Sequence, residues 1–423
     1  MRLADCWRGS ELPYALAHAS KTLFWTASDI YFAFYLTQVC GLSPWTMGLV
    51  LAASYLVNAA ADLILGRRFS ATVRSAEQAA QMQASGAALC SITLVLFGLS
   101  ALVSSGARLA ACLLALMAFR LSYSLYDIPQ NSLLALAGRD DRMRARLAAT
   151  RLFISGIARI ILTASFVPLF VRRSTEAQIE AFLLLVCLMA FLSLVSAFAL
   201  RTKLKGAVSA IAFDDASPAE RKPATTLHLM MMALSFGTTI FTQLEPYLAA
   251  FILPSRWDGA ALLTSVAFGT SISQFAWMAA IRRAGRRSVA ITALLLTGGS
   301  VALFFSATLN GGLPMILAGL SYGISVGGLF FLLWTGIAHH AARSHDAYGA
   351  TATMGAFAGS AKVGQSVAMI MVGLSLQRWG PGASAWEGPP LVAAMAGAVG
   401  TALVLLIGLA LWDKHVLAST RQS

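Results

Sequence analysis

Residues 121–153 read LSYSLYDIPQNSLLALAGRDDRMRARLAATRLF: an apolar run broken by Asp127 and Pro129, then a charged turn, then a second apolar run. Extended outward, the runs cover about 109–137 and 147–171, each longer than the roughly 20 helical residues that cross a hydrocarbon layer. A charge inside such a span costs about 2.5–3.5 kcal/mol on insertion scales, so Asp127 is expected either to be paired or to line a cavity. Pro129 removes a backbone donor, and the sequence predicts a local break in the helix at that point. The arginines between the runs (Arg139, Arg142, Arg144 and Arg146) read as a solvated turn.

The rest of the chain repeats this pattern. Of its 423 residues 58% are hydrophobic and 12% charged, and its mean hydropathy is +0.72. A soluble protein of ordinary composition carries about 25% charged residues. Further spans are predicted near 22–40, 45–66, 80–103, 178–200, 226–251, 259–281, 288–308, 312–338, 347–376 and 389–412. That makes twelve, and an all-α membrane protein. The most polar stretch, 201–225, separates two sets of six, so the chain divides into a bundle over 1–200, a linker over 201–225 and a bundle over 226–423. No apolar leader with a cleavage site precedes the first span.

The net charge of +13 is placed in a way that argues for lipid rather than nucleic acid as partner. Of 31 Lys and Arg, only Arg108, Arg172, Arg173, Arg256 and Arg378 fall in turns on one side. Arg120, Arg151, Arg159 and Lys362 fall inside spans, and all the others lie on the side of both termini. The excess of basic residues on that side makes it cytoplasmic, facing anionic headgroups. An integral plasma-membrane protein follows, with a bacterial inner membrane as the expected setting and a monomer as the expected state. Cys40, Cys90, Cys112 and Cys187 lie in apolar runs at no ligand spacing, and His339, His340 and His345 sit with Arg343 in a turn. No metal site, cofactor site or catalytic triad is expected.

Four acids lie within the predicted spans, Asp29, Asp62, Asp127 and Glu245, against the four bases above. Asn58 and Asp62, four apart, share a helix face, as do Arg120 and Asp127, seven apart. Glu245 precedes Pro246 as Asp127 precedes Pro129, and reads as a possible gate or proton site. Asp29 either lies at the depth of a solute or sits hydrated near the mouth. Arg120 either meets an anionic solute or pairs with Asp29 or Glu245. Asp62 either takes a coupling cation or latches the end of its helix through Arg67 or Arg68. The glycine-rich GLSYGISVGG (319–328) reads as close helix packing.

Two halves of six spans resemble the major facilitator superfamily. More narrowly, FYLTQVCGLSPWTMGLVLAASYLVNAAADLILG with the stretch quoted first resembles the glycoside–pentoside–hexuronide:cation symporters. In the second half the likeness rests on RRAGRR and SAKVGQSVA. The resemblance implies that Asp127 binds solute hydroxyls, that Arg151 and Lys362 lie near the solute, and that Asp62 with Ser124 binds the coupling cation. It also puts Asn58 where the family has a second carboxylate, Thr22 where it has an acid, and Asn131 where it has an aromatic. A site with one carboxylate suits a proton better than sodium. A secondary active transporter of a small polar solute, a sugar, glycoside or anionic metabolite, is therefore expected, coupled to H+ or, alternatively, to Na+. An exporter of a metabolite or drug, a siderophore-type importer and a non-transporting membrane sensor remain alternatives.

Overall fold

The computed structural model describes residues 9–73, 75–136, 141–171, 173–206, 224–253, 255–307, 310–342, 347–380 and 388–413. Side chains at 70–72, 134–136, 141–152, 256, 338–342 and 347–352 lie outside that description. Helix α1 spans Glu11–Ile30 and continues past Tyr31 through Phe32–Phe34 into a π-helical turn, Tyr35–Val39. Then follow α2 (Pro44–Thr72), α3 (Ala76–Leu99), α4 (Ser105–Leu136), α5 (Asp141–Phe170) and α6 (Thr175–Lys203). Helix α7 (Thr225–Tyr247) also ends in a π-helical turn, Leu248–Ile252. The run Arg256–Ala307 is two helices, α8 and α9, divided at Gly285, whose φ of 78° an L side chain rarely adopts. Helices α10 (Gly312–Ala342), α11 (Ala347–Trp379) and α12 (Gly388–Trp412) complete twelve.

Among the described residues, ten helical runs are long and apolar enough to cross a membrane. One of them, Trp257–Ala307, is the α8–α9 pair, and α1 supplies the remaining crossing. Helix α1 starts at Glu11 rather than near residue 22, because its first turns are polar and their polar side chains are buried in protein rather than facing lipid. Twelve crossings put the start of α1 and the end of α12 on one side, called here the terminal side.

The first six helices pack on one another through an aromatic cluster in which Phe32, Phe97 and Phe182 are sealed from solvent. The two halves meet chiefly along α2 and α11 and along α5 and α8. A Cβ on Gly48 would lie 2.7 Å from the Met369 carbonyl, and one on Gly373 would lie 2.9 Å from that of Pro44. Gly355 similarly abuts the Asp62 carbonyl (3.1 Å), so the α2–α11 seam is backbone against backbone over most of its length. GLSYGISVGG packs α10 against α8 as expected, with Gly327 against Gln274 and Ser273 and Gly328 against the Trp277 ring.

The predicted break at Pro129 is absent: α4 runs unbroken through it. The carbonyl that Pro129 leaves without its usual donor is that of Leu125. Gly86 of α3 lies against that carbonyl, close enough that a Cβ would stand 2.6 Å from it. Apposition to a neighbouring backbone, not a rupture, accommodates the proline. At the side opposite the termini the halves are closed. Thr37 and Tyr247 share a hydrogen bond of 2.7 Å, and the rings of Phe34 and Phe251 stack at 6.0 Å.

Candidate functional site

Helix α1 lies between the other helices of its half and α7, and one of its faces carries the polar groups. Lys21, Trp25, Ser28 and Asp29 recur at helical spacing, so they stack along that face. Together they meet three layers of partners.

Nearest the terminal side, Lys21 forms an ion pair with Asp127 of α4 and donates to Asn131 Oδ1 at 3.1 Å. Asn131 in turn donates to Asp127 at 3.0 Å, so three side chains close a ring. Lys21 is almost fully buried, while the Asp127 side chain keeps 14% exposure. Asp127 is therefore held by a cation that the hydropathy pattern had assigned to a loop. Thr22 faces elsewhere, donating to the His18 carbonyl at 2.9 Å and to Ser155 of α5 at 3.2 Å.

The next layer crosses between the halves. Asp62 of α2 is ion-paired with Lys362 of α11 and accepts from Ser124 of α4 at 2.6 Å. Asn58 donates to the same Ser124 hydroxyl at 2.6 Å and to the Arg120 carbonyl at 3.1 Å. The expected trio of Asp62, Asn58 and Ser124 is thus assembled, with the lysine ammonium already on its carboxylate. Asp62 does not latch to Arg67 or Arg68, both of which are exposed. Lys362 also lies 5.5 Å from the Trp25 ring and within electrostatic reach of Asp127. A buried pair of this kind offsets its desolvation cost only when its other valences are also satisfied, as Ser124 does here.

In the third layer Arg120 is fully buried, with its guanidinium 4.1 Å from the Tyr55 ring and 5.5 Å from that of Trp25. It donates to Ser54 and Ser28, each at 3.3 Å, and its Nη2 has no hydrogen-bond partner among the described residues. Arg120 pairs directly with neither Asp29 nor Glu245. Asp29 instead accepts from Tyr55 at 3.1 Å, with Arg120 and Arg159 acting on it through space. Half-buried Arg159 of α5 makes no side-chain hydrogen bond or ion pair among the described residues, although it lies one turn from Gly156, where α5 meets Ser271 of α8. Around α1, among the described side chains, the cations Lys21, Arg120, Arg159 and Lys362 stand against the carboxylates Asp29, Asp62 and Asp127, four positive charges to three negative.

Glu245 stands apart from all three layers. It is 2% exposed, and its side chain makes no hydrogen bond or ion pair among the described residues, with Oε1 buried and unpartnered. The Arg151 side chain lies outside the described residues, as do His339, His340, His345 and Arg343. Cys40, Cys90 and Cys112 are free and buried, and among the described residues no cluster of His, Cys, Asp or Glu could hold a metal. Sequence reasoning missed Lys21, Trp25, Ser28 and Tyr55. The i, i+4, i+7 spacing on α1 would have found the first three had the helix been begun at Glu11.

Two six-helix halves with charges buried at their seam define a transport protein of the major facilitator superfamily, a secondary transporter of a small solute. The chain belongs to the family described as MFS/sugar transport protein, whose family model matches residues 13–412. Its fold is similar to that of the nucleoside transporter NupG, both as a point mutant (TM-score 0.65, 13% identity, 95% of this chain and 98% of that one) and without the mutation (0.63, 14%, 95% and 98%). It is similar as well to a bacterial homologue of the iron transporter ferroportin in an outward-facing state (0.60, 15%, 97% and 100%). No curated protein matches the chain by sequence.

Proposed function

We propose that the chain carries a small solute bearing a carboxylate or phosphate, with a sugar acid as the chemistry that best suits the residues around α1. Arg159 carries this reading, as a guanidinium within a membrane span that no described carboxylate meets directly. An anionic solute would bring the missing charge, and a guanidinium takes carboxylate or phosphate through paired hydrogen bonds. The unpartnered Nη2 of Arg120 supplies a second donor. Trp25, half-buried, offers an aromatic face for a ring, and Asp127 with Asn131 offers acceptors for hydroxyls. These features support kinship with the hexuronide branch of the symporters that the sequence resembles.

Transport would proceed by rocking of the two halves about the α2–α11 and α5–α8 seams, with solute at the midplane. The Lys362 ammonium on Asp62 stands where a coupling metal cation would bind, which favours a proton over sodium as the driving ion. The distribution of basic residues supports a plasma-membrane protein with both ends cytoplasmic. A neutral glycoside taken up with sodium is the second reading, favoured by Trp25 and by the Asp127–Asn131 pair.

Thermal stability of the purified protein against hexuronates, other carboxylates, phosphorylated sugars and neutral glycosides, with and without sodium, separates the two. A ligand at 100 times its Kd stabilises by about 2.7 kcal/mol. Stabilisation by an anion, independent of sodium and lost in Arg159→Gln, is the expected result. Stabilisation only by a neutral glycoside with sodium, unchanged in Arg159→Gln, would overturn the anionic assignment in favour of the second.

A further inference from the structure

The second half contains one buried acid that none of the three charged layers uses. Glu245 sits on α7 one residue before Pro246 and two before Tyr247, whose hydroxyl bonds to Thr37 of α1 to close the side opposite the termini. Across from it, Tyr322 of α10 stacks on Phe241, one turn earlier on α7, with ring centroids 4.0 Å apart. The Tyr322 hydroxyl is also buried and unpartnered, and it lies within electrostatic reach of Glu245. Two buried polar atoms without hydrogen-bond partners among the described residues, Glu245 Oε1 and the Tyr322 hydroxyl, thus belong to the packed pair of α7 and α10.

Groups on the other packed elements are engaged elsewhere. On α1, Asp29 binds Tyr55 and Tyr31 donates to the Leu162 carbonyl. Lys362 on α11 holds Asp62, and Asp258 on α8 accepts from the Gly312 amide. Asp413, just beyond α12, accepts from Thr226. An ionised carboxylate cannot remain in such surroundings without a counter-charge or water, whereas the neutral acid can.

We infer that Glu245 is a proton-binding site whose occupancy sets the α1–α7 closure: with its proton the opposite side stays shut, and without it that side opens. The proton leaves to water entering from the opposite side, and the carboxylate left behind is stabilised by that same water. Glu245 lies next to the closing contact, so hydrating it requires separating Tyr247 from Thr37 and Phe251 from Phe34. This names the protonatable group of the transport cycle proposed above and rests on that reading for its purpose. Its geometry does not depend on which solute moves.

The test needs no solute. In protein reconstituted in lipid nanodiscs, with Cys6 and Cys187 replaced by Ser, spin labels at Trp45→Cys and Trp257→Cys report the gap between the tips of α2 and α8. The gap should widen as pH rises. Glu245→Gln should abolish that response and hold the closed distance at every pH, while Glu245→Asp should retain a response at a shifted midpoint. Infrared spectra of the unlabelled protein at neutral pH should show a protonated-carboxyl band that Glu245→Gln removes. A pH response that survives in Glu245→Gln would overturn the inference. So would an infrared band that the substitution leaves unchanged, because Glu245 would then be ionised. Failure of solute binding in the panel above would leave both readouts untouched, so the two proposals fail separately.

Discussion

The two halves share a scaffold of six helices and differ in what they bury. In the first half Lys21, Asp29, Asp62, Asp127 and Arg120 are linked by hydrogen bonds or ion pairs into three layers along α1, and the second half reaches them mainly through Lys362. The second half buries glycine-rich backbone contacts, as between α8 and α10, and one acid with no partner. A linked network holds a shape, because removing one member leaves another buried and unpaired. A lone acid has no such partner to strand and is freer to change state. On the two proposals above, labour divides accordingly: recognition beside the charged network of the first half, through the donors it leaves open on Arg120 and Arg159, and switching at the isolated acid of the second.

The largest effect that can break this contrast lies in the shared layer. Asp62→Ala strands the Lys362 ammonium and should cost about 3–5 kcal/mol, read as a large drop in melting temperature in detergent. Adding Lys362→Met should recover most of the loss. If the double variant melts as low as the single one, the pair does more than neutralise itself. Next, Gly48→Val puts branched carbon against the Met369 carbonyl and should cost about 1–3 kcal/mol by overpacking. Chemical cross-linking between α2 and α11 would show the seam displaced. Smaller again, a double-mutant cycle of Lys21→Met with Asp127→Asn should give a coupling of about 0.5–3 kcal/mol. Values near zero would mean that the 14% exposure of Asp127 already lets water screen the pair. The smallest change should come from Glu245→Gln, about 1 kcal/mol or less in stability, since the amide replaces a neutral acid of equal size. A large loss there would give Glu245 a hidden partner and erase the difference between the halves.

Much of this was legible in the sequence. Twelve spans and the Asn58–Asp62 face follow from hydropathy and period, because lipid imposes a length and a helix imposes a spacing. The Asp62–Asn58–Ser124 trio came from family resemblance, and it assembles. Lys21 was lost because its charge lowers the apparent hydropathy of α1 just where an ion pair makes burial affordable. Trp25 lay inside the predicted span but carried no charge to single it out. The predicted break at Pro129 failed for a different reason. Local sequence shows which donor is missing, but not that Gly86, on another helix, covers the carbonyl left over. Likewise Glu245 resembles Asp127 on paper, since both precede a proline by one or two residues. Only the third dimension shows that one has a lysine beside it and the other has none.

The two π-helical turns, Tyr35–Val39 and Leu248–Ile252, give the closing contact a torsional character. A π turn accommodates one residue more than an α turn. Rewinding either segment to α geometry would rotate everything beyond it by about 100°, the angle that one helical residue subtends. Thr37 lies within one of these turns and Phe251 within the other. A change of winding in either turn would therefore part the tips of α1 and α7 by a twist, in addition to any rocking of the halves, like two keys turned in facing locks.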